Sequence, residues 1–309
     1  MDIVLDYLDE YLLSRYNVCP ESWPENFWLR QAITLFVVVN VGGAILYFLL
    51  AGLSYQFIYD HRLMQHPKFL KNQIQREILY TLKSIPFMGV LTVIMFMLEV
   101  KGYSQLYDSF SESKIGWLRL PWEILSFLFF TDMCIYWIHR WLHHPAIYKH
   151  LHKAHHLWKV PTPFASHAFH PVDGFLQSFP YHLYPFFFPL HKGVYLFMFV
   201  FVNFWTVSIH DGDYRVPDAV QPFINGSAHH TDHHLFYNYN YGQFFTLWDR
   251  LGGSFRNPSA FEGNGPMEEV LKLKEKNGSL ATKKQENGSA TEELANGMSQ
   301  ENHYNLRKR

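Results

Sequence analysis

The chain has 309 residues and carries 26 Lys and Arg against 27 Asp and Glu, which gives a formal net charge of −1 at pH 7. That balance argues against a nucleic-acid-binding protein, because such proteins carry a basic surplus. Hydrophobic residues make up 48% of the chain, which excludes disorder over most of it, and the two cysteines, Cys19 and Cys134, exclude a disulfide scaffold or a cysteine-rich metal module.

Three apolar stretches follow an acidic segment over residues 1–31 that has no basic start of the signal-peptide kind. A helix needs about 20 residues to cross a bilayer, and each stretch is long enough. We therefore predict three transmembrane helices with connecting loops over 32–138. The stretches are Ala32 to Leu53, Leu79 to Leu98 and Leu120 to Ile138.

A fourth apolar region, residues 175–209, is interrupted by three prolines and by the sequence His191-Lys192-Gly193. Histidine clusters lie on both sides of it, so a single crossing would separate them across the membrane. We therefore predict a hairpin that enters and leaves on one face without emerging on the other.

Lysine and arginine set the orientation, because they favour the cytosolic side. They are concentrated between the first two stretches and after the third, whereas residues 1–31 are acidic. This predicts a lumenal N-terminal segment, a lumenal loop over 100–119, and a cytosolic region from residue 139 onward. Cys19 and Cys134 would then be too far apart for a disulfide. The basic residues are Arg62, Lys68, Lys71 and Arg76, then Arg140, Lys149, Lys153 and Lys159.

Residues 263–309 are rich in Gly, Asn, Ser, Glu and Lys and nearly lack aromatic residues. This composition predicts a disordered cytosolic tail. Glycosylation sequons begin at Asn225, Asn277 and Asn287, and a cytosolic position would leave all three unused.

Histidine is the most informative residue type, since sixteen of the 19 histidines lie between His139 and His234. The pattern H-x-x-H-H occurs twice, and on a helix its three imidazoles would share one face and point to one place. Their number exceeds what one metal ion takes as ligands, so the pattern indicates a pair of ions. Imidazole suits Fe, Zn, Cu and Ni, of which iron with open positions activates dioxygen.

The three histidine clusters, in this order, resemble those of the fatty acid hydroxylase superfamily of membrane non-haem di-iron enzymes. They are His139-Arg-Trp-Leu-His-His144, His152-Lys-Ala-His-His156 and His229-His-Thr-Asp-His-His234. Flanking sequences are similar to those of the sterol C5-desaturases within this superfamily. These are Thr162 to Gln177, Ser208 to Asp213, Tyr239 to Gln243 and Thr246 to Arg250, and the resemblance covers roughly residues 30–262.

The resemblance implies an all-α fold, a multi-span integral membrane helical bundle with a cytosolic histidine-rich cap that holds a di-metal centre. The cap would be the catalytic region, over residues 139–262. The ligands, carried over by position, would come from the three clusters, and His210 and His229 are further candidates. Either of His143 and His144 remains possible, and His210, His229, His167 or His170 would complete the set. The metal candidates are His139, His143, His144, His152, His155, His156, His210, His229, His230, His233 and His234.

The resemblance also implies the reaction, which is the oxygen-dependent introduction of the 5,6 double bond into a 7-ene sterol in the endoplasmic reticulum membrane. Two iron ions would use O2 and electrons from NAD(P)H, delivered by cytochrome b5 and its reductase as separate proteins. The sterol would occupy an aromatic-lined slot that opens to the membrane. Its predicted walls are Phe175, Phe179, Tyr181, Phe186, Phe187, Phe188, Phe204 and Trp205.

Three alternatives remain open. Another oxidase of the superfamily, a sterol C4-methyl oxidase or a lipid hydroxylase, would keep the same clusters and differ in its product. A zinc-bound membrane hydrolase would differ in its metal. A histidine-rich metal transporter would spread its ligands along a path through several spans, rather than gather them on one face.

Overall fold

The structure, a computed structural model, describes residues 1–112 and 115–279. Its α-helices are α1 (Asp2–Leu8), α2 (Trp28–Phe57), α3 (Gln73–Val100), α4 (Arg119–Leu142), α5 (Pro145–Leu151), α6 (Pro171–Phe187), α7 (Lys192–Ser208), α8 (Ser227–Phe236), α9 (Leu247–Leu251) and α10 (266–279). Strands β1 (Leu106–Tyr107) and β2 (Leu190–His191) form one short parallel pair. A π-helix covers Asp9–Leu13, and 3-10 turns cover His61–Gln65, Phe110–Glu112, Gly116–Leu118, His155–Leu157, Pro163–His167 and Ser259–Glu262.

The three predicted apolar stretches are all helical and correspond to α2, α3 and α4. Within the described ranges, α2 and α3 are the two helices long and apolar enough, by length and composition, to cross a membrane. The third, α4, is 24 residues long and carries Glu123 and Asp132. The prediction of helices is therefore confirmed.

The long helices bury polar residues and expose apolar ones, the reverse of a protein surrounded by water. On α2, one stripe of exposed aliphatic side chains recurs every four residues. An apolar surface of this extent belongs in lipid. The stripe consists of Ile33, Val37, Val41 and Ile45, while the buried face of α3 carries Glu77, Thr81, Ser84, Thr92 and Glu99.

The helix bundle has two distinct ends. The loop between α2 and α3 meets the region after α5, where Gln73 Nε2 donates to the Val160 carbonyl oxygen at 2.9 Å. We call this the histidine end. At the opposite end, which we call the far end, Arg30 of α2 pairs with Asp9 at 2.5 Å.

The predicted hairpin over 175–209 is present as α6 and α7, joined by a turn that contains β2. This turn lies at the far end, since Leu190 pairs with Leu106 of β1. In addition, Lys192 Nζ lies 2.6 Å from Asp2 Oδ2 and 2.7 Å from Asp108 Oδ1. The hairpin therefore runs the length of the bundle. That it enters and leaves the membrane on one face stays a prediction.

The predicted disordered tail begins later than the composition suggested. Residues 266–279 form α10, in which Val270 is buried and Met267 packs against a cluster of Tyr59, Leu63 and Val160. His66 Nε2 also lies 2.8 Å from Glu269 Oε2. Met267 and Val270 share one helix face at a spacing of three residues, a short pattern that the polar composition concealed. The rest of the predicted tail, residues 280–309, lies outside the described residues.

A chain that ends at residue 263 is expected to be less stable than a chain that ends at residue 279. Loss of α10 exposes the surface under Met267 and Val270, which costs about 3 kcal/mol for two apolar side chains. The unfolding temperature in detergent should fall by about 5 °C, while the chain that ends at 279 serves as the control. Equal unfolding temperatures would show that α10 does not dock as described.

Candidate metal centre

The histidines of the three sequence clusters come from four places in the fold, and His210 adds a fifth. The four are the end of α4, the residue after α5, the 3-10 turn His155–Leu157 and α8, and His210 lies directly after α7. All of these places meet at the histidine end. The structure thereby brings together parts of the chain that are up to about a hundred residues apart.

Nine histidines form two groups in which the ligand nitrogens all lie within 4.8 Å of one another. All nine are buried except His143, which is half-buried. The first histidine group consists of His139, His143, His152, His156 and His233, and the second consists of His155, His210, His230 and His234.

The nitrogens within each group are spaced like the ligands of one ion. Nε2 of His156 lies 3.1 Å from Nε2 of His143 in the first group. In the second group, Nε2 of His230 lies 3.0 Å from that of His210 and 3.2 Å from that of His234. Two nitrogens bound at right angles, each about 2.1 Å from an ion, would be about 3.0 Å apart.

In four of these histidines, Nδ1 lies within hydrogen-bond distance of an oxygen atom. Such a contact fixes the tautomer with the proton on Nδ1 and leaves the Nε2 lone pair for a metal. For His233, the buried Nε2 has no hydrogen-bond partner among the described residues. The pairs are His139 with the Tyr241 carbonyl at 2.9 Å, His152 with Asp173 Oδ2 at 2.8 Å, His210 with the Thr206 carbonyl at 2.7 Å, and His233 with the Tyr239 carbonyl at 2.8 Å.

Burial lowers the pKa of several grouped histidines and so favours their neutral form. Burial is the main cause that lowers the pKa of His210 to about 3, and burial with the neighbouring histidines holds the pKa of His233 and His234 well below the usual value. The same causes act on the pKa of His155, His156 and His230. Neutral imidazole is the form that binds metal.

Two carboxylates hold the loop that supplies the Tyr239 and Tyr241 carbonyls. Asp249 accepts hydrogen bonds from the backbone N–H of Tyr241 and of Gly242, both at 2.8 Å. Asp132 of α4 accepts from the backbone N–H of the next three residues, Gln243, Phe244 and Phe245, at 3.0, 2.7 and 3.1 Å. Asp132, an acidic residue in the middle of an apolar helix, thus fixes the backbone of the loop that contacts the first histidine group.

His144 and His229 were predicted with the other ligands, and the structure places them in neither group. His144 turns away from His143 and accepts a hydrogen bond from the Ala146 N–H at 3.4 Å, as the N-cap of α5. His229 lies on another face of α8, where its ring packs against Phe255 and Phe261. Among the four residues predicted as alternatives to complete the ligand set, His210 lies in the second group.

His167 and His170 are also outside the two groups. Nε2 of His167 lies 2.9 Å from Asn203 Oδ1, and His170 accepts from the Val172 N–H at 3.3 Å as the N-cap of α6. Both rings are therefore used for local hydrogen bonds.

Each H-x-x-H-H triplet is divided between the two groups, contrary to the expectation that its three imidazoles point to one place. His230 and His234 lie in the second group and His233 in the first. At 3.6 residues per turn, positions i+3 and i+4 differ by about 100° around the helix, so i and i+4 can share one group while i+3 points to the other. The triplet at His152 divides in the same way, although it is not on an α-helix.

A cavity of about 350 Å3 lies between α2, α3, α6 and α7. Phe169 forms part of its lining and stacks on the ring of His155, with the ring centroids 4.1 Å apart. The volume is within the range of small-molecule sites, about 300–1,000 Å3. Of the eight aromatic residues predicted as walls, Tyr181 lines this cavity and the other seven do not. The other residues of α6 and α7 that face the cavity are Gly174, Gln177, Ser178, His182, Phe199, Val202, Asn203 and Thr206.

Comparison with known proteins matches residues 124–254 to the fatty acid hydroxylase family. The chain is 60% identical over 298 residues to a lathosterol oxidase of Rattus norvegicus, covering 96% of this chain and 98% of the relative. A lathosterol oxidase of Homo sapiens is 60% identical over 297 residues, with the same coverage. A Delta(7)-sterol 5(6)-desaturase of Candida dubliniensis is 52% identical over 270 residues, 87% of this chain and 67% of the relative. No solved structure matches the chain.

Proposed function

This chain belongs to the fatty acid hydroxylase family, and from that premise we propose that it is an oxygen-dependent sterol desaturase that introduces the 5,6 double bond into a 7-ene sterol. The observation that carries the proposal is the pair of all-histidine groups beside an apolar cavity in the membrane part of the fold. The relatives named lathosterol oxidase and Delta(7)-sterol 5(6)-desaturase indicate which substrate and which bond.

We assign the nine grouped histidines as ligands of two non-haem iron ions. The donor set fits iron, because imidazole nitrogen is a good ligand for it and the spacing within each group suits one ion. When bound, the iron pair would supply the activation of dioxygen. Electrons from NAD(P)H would arrive through cytochrome b5 and its reductase.

In the net reaction, C5 and C6 of the sterol each lose one hydrogen, and a double bond forms between them. One O2 takes up these two hydrogens together with two electrons and two protons, which yields two waters. The grouped histidines would act as ligands and not as acids or bases, because the metal would use their Nε2 lone pairs. The chain's own contribution is to hold the rings in place through Asp173 and the Tyr239 and Tyr241 carbonyls, and to exclude water with Phe169.

The chain is a membrane protein, and we propose that it is a multi-pass protein of the endoplasmic reticulum with the histidine end in the cytosol. The basic loop between α2 and α3 lies at the histidine end, as the positive-inside tendency requires. The hairpin turn around His191 would then reach the lumenal face, together with residues 1–31 and the loop over 100–119. The same basic loop would face the acidic surface of cytochrome b5.

Microsomes that contain this protein are expected to convert a 7-ene sterol into the 5,7-diene when NADH and oxygen are supplied. The product is identified by its ultraviolet absorption and by mass spectrometry, with microsomes that lack the protein as the control. A product with one added oxygen and no new double bond would instead indicate a hydroxylase or C4-methyl oxidase of the same family. If activity depended on the zinc content and not on the iron content of the protein, its assignment as an oxidoreductase would be excluded.

A further inference from the structure

Several polar side chains line the cavity in the halves of α6 and α7 that are nearer the histidine end. α6 begins at the histidine end and runs toward the far end, so Gln177 lies one turn from Asp173 and His182 lies about 7.5 Å further along the helix axis. α7 runs the opposite way and ends just before His210. Gln177 of α6 and Asn203 and Thr206 of α7 line the cavity in these halves, and His167 and Gln243 contact Asn203 and Thr206. Other lining residues include Val38, Val39, Phe96, Phe199 and Val202.

Two of these polar side chains have hydrogen-bonding groups to spare. Gln177 donates one N–H to Asp173 Oδ1 at 2.8 Å, and Gln243 donates one N–H to Thr206 Oγ1 at 3.1 Å. Within the described part of the chain, neither side-chain carbonyl oxygen accepts a hydrogen bond. Each amide thus keeps an acceptor and one donor hydrogen at the cavity, where few other groups can satisfy them.

Each amide contacts a residue that in turn contacts a grouped histidine, and the two amides connect in this way to different groups. The other carboxylate oxygen of Asp173 holds Nδ1 of His152, in the first group. The backbone carbonyl of Thr206 holds Nδ1 of His210, in the second. A polar ligand group bound by these amides would therefore be separated from the two groups by single residues, Asp173 on one side and Thr206 on the other.

A 7-ene sterol has one polar group, the 3-hydroxyl, three covalent bonds from C5 and four from C6. With bonds of about 1.5 Å, the hydroxyl oxygen is at most about 5 Å from the carbons that react. Its binding site must therefore adjoin the histidine groups. His182 and Tyr195, which pair with each other at 3.2 Å toward the far end, are too distant for this role.

We propose that Gln177 and Gln243 bind the sterol hydroxyl, one amide accepting its hydrogen and the other donating to its oxygen. The hydroxyl-bearing ring then lies beside the two histidine groups, and the alkyl side chain extends along the apolar part of the cavity toward the far end. This inference rests on the proposed sterol substrate and adds the residues that orient it.

The test compares two ligands, a radiolabelled 3-hydroxy-7-ene sterol and its 3-deoxy analogue, by equilibrium binding to the purified full-length protein. Gln177→Met and Gln243→Met keep the side-chain length and remove the amide. Each variant should lose about tenfold in affinity for the hydroxy sterol, the effect of one hydrogen bond, and should bind the deoxy analogue as the unmodified protein does. Ser178→Ala is the matched control in the same cavity, since its hydroxyl already donates to the Phe175 carbonyl.

Three outcomes would overturn the inference. The first is equal affinity of the unmodified protein for both ligands. The second is an equal loss of affinity for both ligands in the variants. The third is a fall in iron content in the variants, which would show that the amides only support the fold. Failure of the protein to produce any 5,7-diene would contradict the proposed function alone, because the binding ratio is measured without turnover.

Discussion

Replacement of His233 or His155 by Ala is expected to lower sterol turnover by more than a hundredfold. Loss of a group that merely orients a ligand costs about 10–100-fold in metal affinity or activity, and loss of the ligand itself costs more. The two positions test the two groups separately, because His233 belongs to the first and His155 to the second. The helices of the membrane part do not depend on either ring, so both variants should be inserted at normal levels.

Elemental analysis of the purified variants makes this prediction more specific. If each group holds one ion, either substitution should lower the iron content by up to half, and the double variant should lose nearly all of it. Product formation is measured in parallel in microsomes at equal protein level.

His144→Ala and His229→Ala are the matched controls, since these histidines adjoin grouped ones in sequence and lie outside both groups. Each should retain turnover within a few-fold of the unmodified protein. Retained turnover in His233→Ala and His155→Ala, or a complete loss in His144→Ala, would contradict the assignment of the groups.

The membrane helices were predictable because they depend on local composition. Long uncharged runs such as 32–53 specify a helix wherever they lie, and the turn between α6 and α7 is marked by Pro189 and the polar residues after it. The position of this turn at the far end was not predictable. It depends on contacts of Leu190 with Leu106 and of Lys192 with Asp2, which are far away in the sequence.

The histidines of the site were predictable as a set, and their division into two groups was not. H-x-x-H-H shows that three rings are close, but not that His233 faces His139 while His230 faces His210. The roles of the supporting carboxylates, Asp132, Asp173 and Asp249, were not predicted from the sequence. The signal that was available was Asp132 itself, since a carboxylate within an apolar helix is costly and usually has a function.

Asp132→Asn is expected to reduce activity strongly although Asp132 contacts no histidine. Its carboxylate accepts three backbone N–H groups of the loop that follows Tyr241. An asparagine offers one oxygen, and its NH2 faces donors with which it cannot bond. Leaving buried N–H groups unpaired costs about 1–3 kcal/mol each, so the loop should shift.

This loop supplies the Tyr239 and Tyr241 carbonyls, which hold His233 and His139. Both histidines belong to the first group, so Asp132→Asn should lower its iron occupancy and leave the second group loaded. Glu123→Gln is the matched control, because Glu123 is an equally buried carboxylate on the same helix that contacts Arg119 and the His191 N–H at the far end. It should leave the iron content unchanged. Full iron content and turnover in Asp132→Asn would mean that the loop holds its position without this anchor, and equal iron loss in both variants would mean that the effect is one of general stability.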